Sequence, residues 1–229
     1  MVAICFAALF PPQAQSQELI HMEGYFINSI YPAVNPNPGV NGLEGRGLIT
    51  ALYSPLTSNF VANEYTWVIK GLLATSTRIV GTQSFTNFDT SASSFSIYED
   101  PTLDARPTFY NCPVEIWPSP PGDPRYSNGT IYLRGHFSSF STNYDSLTLS
   151  GSFLGRIAWD AGPHASQVNC PHPQYSSWAL NGYTDSSTPC LPIGYDRAVF
   201  GRYYCLTGDC CSVTKAQTGT WSKLRRIYR

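Results

Sequence analysis

Charge is what this chain has least of. Asp, Glu, Lys and Arg make up 13% of its 229 residues, about half the usual share of ~25%, and the formal net charge is −1. So weak a field gives no electrostatic footprint for nucleic acid. Long apolar runs are missing as well: Val2 to Phe10 spans nine residues, far short of the ~20 that cross a bilayer as a helix. Cysteine is absent from Gln17 to Asn111. No stripe of helical period appears before Cys205, and no Gly-x-Ser-x-Gly elbow of an α/β hydrolase occurs.

What is present points outward from the cell. Val2 to Phe10 matches the apolar core of a secretory signal, and Ala14 and Ser16 supply small residues before a cleavage site ahead of Gln17. No Lys or Arg precedes that core, which departs from the usual pattern. Residues 1–16 are therefore expected to be a signal peptide, and the mature chain a secreted, extracellular or cell-envelope protein. Six cysteines follow: Cys112, Cys170, Cys190, Cys205, Cys210 and Cys211. An even set behind an export segment implies disulfides. Six thiols allow fifteen pairings, and the sequence selects none of them. Neighbours Cys210 and Cys211 are expected to bond to different partners. A zinc site from His164, Cys170 and His172 has no familiar spacing, so no metal is assigned there.

Period-two alternation dominates the first 160 residues. The clearest case places Leu147, Leu149, Gly151, Phe153, Gly155, Ile157 and Trp159 on one face, as a half-buried strand requires. Thr130 to Phe140 alternates too, and residues 141–145 between them read as a hairpin connection. Further strands are expected over Leu43–Tyr53 and Tyr65–Val80, with shorter ones at Ile20–Ile30 and Phe95–Tyr98. Six or seven strands without intervening helices define a mainly β fold, an antiparallel sandwich or barrel. Residues 17–160 form that β domain. Residues 161–229 form a Cys-rich, loop-rich, disulfide-bearing C-terminal extension, or else continue the same domain.

Two stretches break the pattern. Residues 101–124 hold seven of the eighteen prolines and read as one long loop, the kind that usually carries function. Residues 161–194 mix His, Pro, Ser and Tyr around two cysteines. The tail from Trp221 is basic and reads as a short helix, or as a last strand, able to contact an anionic envelope surface.

Candidate contact residues gather in the loops. Tyr110, Trp117 and Trp178 supply aromatic area with polar edges, against the plainer reading that each plugs a small core under its own loop. Trp67 and Trp159 belong to apolar strand faces and are expected in the core. Asp100 and Asp104, with Glu99, Glu115 and Asp123, frame the proline-rich loop. Such oxygens suit calcium or a glycosidase pair, or are simply solvated beside Arg106 and Arg125. No other cofactor is expected. His136 is expected to face solvent. Asn128-Gly129-Thr130 fits an N-glycosylation acceptor and equally a turn. The resulting expectation is an exported, disulfide-stabilised, non-catalytic binding or structural module with a surface glycan or protein as partner. The alternative is a secreted hydrolase using loop carboxylates or a histidine. A small-ligand carrier with an up-and-down barrel is a third reading, and it requires a closed sheet around an apolar cavity.

Overall fold

The computed structural model describes residues 18–28, 42–105, 123–168, 178–187, 191 and 195–205. Its strands are β1 (Glu18–Asn28), β2 (Gly42–Leu52), β3 (Glu64–Val80), β4 (Gln83–Asp89), β5 (Ser94–Asp100), β6 (Thr130–Asp145), β7 (Ser150–Ala161), β8 (Trp178–Asp185) and β9 (Arg197–Cys205). One helical turn, α1 (Ala165–Val168), and a 3-10 turn at Pro124–Tyr126 complete the regular elements described.

Every neighbour pair is antiparallel, and β9 returns to pair with β1 while β2 pairs with β3. The sheet therefore closes on itself. Strands β4 and β5 share one place in the ring: β3 pairs β4 through Leu73–Val80 and β5 through Glu64–Lys70, and β6 likewise borders both. Between them the chain bulges at residues 90–93. Gly71 opposite adopts φ +74, and a Cβ there would lie 2.1 Å from the Ala92 carbonyl oxygen, so only glycine fits this approach. Counting β4 and β5 as one position, the fold is an eight-stranded up-and-down barrel. The sheet edges a sandwich would leave exposed are removed by this closure.

Alternation decides what lies inside. Strand β7 turns Phe153, Gly155, Ile157 and Trp159 inward while Leu154, Arg156, Ala158 and Asp160 are exposed, as its sequence pattern predicts. The hairpin with β6 is also as expected, but its connection is shifted. Strand β6 continues through Asp145, and the turn is residues 146–149. Leu147 and Leu149, expected on the inner face, are instead 77% and 43% exposed in that turn. The cause is local: Thr142 and Tyr144 extend the β6 alternation, and the Asp145 Oδ1 accepts the Leu147 N–H at 2.9 Å, which starts the turn at residue 146 rather than 141.

An eight-stranded barrel has a lumen just wide enough for side chains to fill. Here rings fill it. Phe26 lies edge-on to Trp67 at 6.2 Å and to Phe153 at 5.3 Å, Phe95 stacks on Phe137 at 6.0 Å, and Phe137 meets Phe140 at 5.0 Å. Trp67 and Trp159 are buried, as expected. Each indole N–H finds an oxygen, that of Trp67 donating to the Glu23 carbonyl and that of Trp159 to the Tyr203 hydroxyl. Such edge and offset contacts add to the area term of burial.

Strands β8 and β9 come from beyond residue 161, yet they close the ring between β7 and β1. Antiparallel order then sorts the connections. Hairpins β3–β4 and β6–β7 and the β8–β9 connection lie at one end. At the other end lie the β2–β3, β5–β6 and β7–β8 connections, together with the first residue of β1 and the last of β9.

Candidate functional site

The end that carries the β2–β3 and β5–β6 connections brings several polar side chains together. After β5 the chain turns back along the outer wall, and Ala105 and Tyr126 pack there on Leu48 of β2 and Val68 of β3. The hydroxyl of Thr66 on β3 donates to the Tyr126 carbonyl at 2.9 Å. Arg46 of β2 is buried, with its guanidinium 5.9 Å from the Tyr126 ring and 5.8 Å from the Tyr195 ring. Tyr195 in turn meets Tyr25 at 5.5 Å. A cation held between aromatic faces in this way is well stabilised when desolvated. Burial pushes the Tyr25 hydroxyl up to about 12, and nearby Tyr126 and Glu23 push in the same direction.

Beside this small outer core, three carboxylates converge. Glu64 at the start of β3 and Asp100 at the end of β5 are register partners. Their relative exposures are 0% and 2%. Asp104, half-buried in the following turn, joins them, so that one oxygen from each acid lies within 4.8 Å of the other two. The turn is built by the acids themselves. Asp100 Oδ1 accepts from the Thr102 N–H at 2.8 Å and from its hydroxyl at 2.7 Å, and Glu64 Oε1 accepts the Ala105 N–H at 2.8 Å. Leu103 between them takes φ 56, a left-handed conformation uncommon outside glycine. Asp104 Oδ2 accepts from the exposed Asn128 side-chain amide at 3.1 Å. Asp123 pairs with Arg125, Oδ2 to Nη2 at 2.7 Å. That bond raises the already high pKa of Arg125.

Further along the same outer face, a groove crosses three adjacent strands. Lys70 faces Ser94, Val68 faces Ser96, and Ser96 faces Arg134 of β6. With Tyr98 they line an open depression. The Arg134 Nε donates to the Ser96 hydroxyl at 3.3 Å. The groove thus offers two cations, two hydroxyls and one phenol ring.

Of the residues singled out in the sequence, Asp100 and Asp104 come together. Trp178 begins β8 opposite Cys205 in register, and β6 and β7 stand between it and β5. Tyr110 and Trp117 lie outside the described residues, as do Cys112, Cys170, Cys190, Cys210 and Cys211, the export segment and the basic tail. His136 is exposed on the wall, as expected, and its Nδ1 sits 2.8 Å from Asp160 Oδ2. Both members are about half exposed. Among the described residues no serine or threonine hydroxyl is hydrogen-bonded to that pair, as a triad would require.

Sequence reasoning missed Glu64 and the groove. Glu64 stands one residue before the apolar strand face begins at Tyr65, where an acid reads as the end of a loop. Its signal was parity: it shares the outward phase of Thr66, Val68 and Lys70. Comparison with known proteins returns no match: no family model, curated protein or solved structure is similar to this chain at a significant level.

Proposed function

We propose that this protein is an exported, non-catalytic binding module that recognises an acidic surface glycan on its outer wall, in the groove formed by Lys70, Ser94, Ser96, Tyr98 and Arg134. The observation that supports this reading most is the filled lumen. With Phe26, Trp67, Phe95, Phe137, Phe140 and Phe153 packed across it, the space that carriers of this topology use for a small ligand is taken by the protein's own rings. A ligand then has to be met from outside. The groove supplies what a sugar acid needs: a ring to stack on, hydroxyls to share hydrogen bonds, and two cations for a carboxylate or sulfate.

The hydrolase reading finds less support in these residues. Paired carboxylates that flank a glycosidic bond stand about 5–9.5 Å apart in an accessible cleft. Glu64 and Asp100 are instead buried. His136 and Asp160 lie on the open wall.

A glycan array probed with the secreted protein tests the proposal. Binding to acidic glycans, reduced at least tenfold by Lys70→Glu, is the expected outcome. Lys70 is exposed, so this change leaves the barrel intact. Capture of a protein partner with an empty array would move the reading to protein recognition. Turnover of a glycosidic or ester substrate without glycan binding would overturn it. Export is tested on the same preparation by intact mass: loss of residues 1–16 and six thiols inert to alkylation are expected.

A further inference from the structure

We infer that the outer wall carries a second saccharide site, a trough across β4, β6 and β7 that takes a neutral oligosaccharide. It shares no residue with the Lys70–Arg134 groove and does not rest on it. The first observation is one of phase. Outward positions of β4 and β7 are mostly polar, Gln83, Asn87, Asp89, Ser152, Arg156 and Asp160 among them. Phe85 and Leu154 break that rule and are 40% and 51% exposed. Singly, such residues need no explanation. These two, however, flank one depression of about 460 Å³, part of it open to solvent, a size found among small-ligand sites. Between them β6 contributes the shorter Ser141 and Asn143, which form its bed.

The second observation is register, and it extends the trough sideways. Phe85 of β4, Asn143 of β6, Ser152 of β7 and Tyr183 of β8 are successive partners, so they form one row across the strands. Tyr183 is 55% exposed and stacks on Phe200 of β9 at 4.7 Å, with 16° between the rings. Phe85 and Tyr183 thus stand three strand spacings apart, about 14 Å, with an amide and a hydroxyl between them. The adjoining row, Asn87, Ser141, Leu154 and Asn181, adds two more amides and a hydroxyl.

The lining selects the ligand class. No charged side chain borders the trough, so an ion finds no partner in it. It is open and carries amides and hydroxyls, whereas sites for apolar molecules enclose most of the ligand. An extended peptide would add to a free sheet edge, but β4, β6 and β7 are paired on both sides. A second copy of the chain would need about 800 Å² from each partner. Phe85, Leu154 and Tyr183 together expose on the order of 300 Å², taking ~150–250 Å² per large side chain, and Asn143 and Ser152 interrupt that area. A neutral sugar chain has the matching pattern, with apolar C–H faces for the two rings and hydroxyls for the amides and serines.

Calorimetric titration of the secreted, full-length protein with uncharged oligosaccharides tests this, the probes being cello-, manno-, malto- and N-acetylchitotetraose. At least one should bind, and with the same affinity in low salt and in 1 M salt, since no charge pair is involved. Phe85→Ala and Tyr183→Ala should each weaken that binding at least about tenfold. Both side chains are exposed and they lie on different strands, so one variant keeps the test alive if the other does not fold. Lys70→Glu should leave neutral binding unchanged, whatever it does to acidic glycans, which separates this site from the groove. Silence across the four probes would overturn the inference. So would binding that survives both aromatic variants, or that is lost in Lys70→Glu. Sedimentation of the parent as a dimer that Phe85→Ala dissociates would overturn it too, by giving the face to a second copy.

Discussion

Gly45 and Phe26 are register partners across β2 and β1, and the missing side chain of one is the space occupied by the ring of the other. A Cβ on Gly45 would stand 2.5 Å from Phe26 Cδ1 and 2.9 Å from Trp67 Cζ3. Neither ring can retreat, since Phe26 is already held edge-on by Trp67, Phe140 and Phe153. The barrel is thus sized by glycine on one strand and aromatic on the next.

Gly45→Ala is accordingly expected to destabilise the fold, although alanine suits most strands better than glycine. Overpacking of a filled core costs about 1–3 kcal/mol, and the change should fall in that range. Urea unfolding of the variant against the parent measures it. A neutral or stabilising result would mean that the lumen is looser than the ring contacts imply.

Tyr65 and Glu99 tie the β2–β3 connection to the barrel mouth. The Tyr65 hydroxyl donates to Glu99 Oε1 at 2.7 Å and accepts the Asn59 N–H at 3.0 Å, while the Asn63 amide reaches the same Glu99 oxygen at 2.6 Å. Tyr65→Phe deletes one hydroxyl from this set and leaves the Asn59 N–H and Glu99 short of a partner. A loss of about 1–3 kcal/mol is expected. Hydrogen exchange should locate it, with the Asn59 amide exchanging faster and the β7–β8 ladder unchanged.

Much of this wall was readable in advance, and the reason is parity. Strands whose inner positions are all large and apolar, such as Phe153, Ile157 and Trp159, announce themselves. Strand β4 does not, because its inward Thr86 and Phe88 alternate with an exposed Phe85, so the apolar residues fall on both faces. Strand β8 hides behind Asn181-Gly182, a pair that reads as a turn. In the barrel Gly182 instead makes room for Phe153, whose Cζ is 2.6 Å from where its Cβ would be. The carboxylate cluster was half visible. Asp100 and Asp104 are close in sequence, but Glu64 meets them only through the β3–β5 register, which no local pattern encodes.

The buried tyrosines make an alkaline limit. Burial raises the hydroxyl pKa of Tyr25 to about 12, and it also raises those of Tyr65, Tyr132, Tyr195 and Tyr203 above the ordinary value of 10.0. The unfolded chain releases these protons near pH 10, while the folded one retains them. Between those values the folded state binds more protons, so stability falls as pH rises. The stabilising contribution is complete below about pH 10 and is lost through pH 12 for Tyr25. Denaturation at pH 8 and at pH 11 should show the loss. Tyrosinate absorbance should appear in two steps, exposed tyrosines first and the buried set together with unfolding.

His136 and Asp160 supply the contrasting case, a close pair that should matter little. Their 2.8 Å contact lies on the outer wall, with both side chains about half in solvent. Water and salt screen such a pair, and side-chain entropy opposes it, so its worth is about 0–1 kcal/mol. His136→Ala and Asp160→Asn should each shift stability by less than that. The double variant should show little coupling beyond the sum of the two, and the small effect that exists should shrink further in 1 M salt. A large loss from either single change would show that the pair is buried by a segment beyond the described residues. A change in any hydrolytic turnover would return the histidine to consideration as a base.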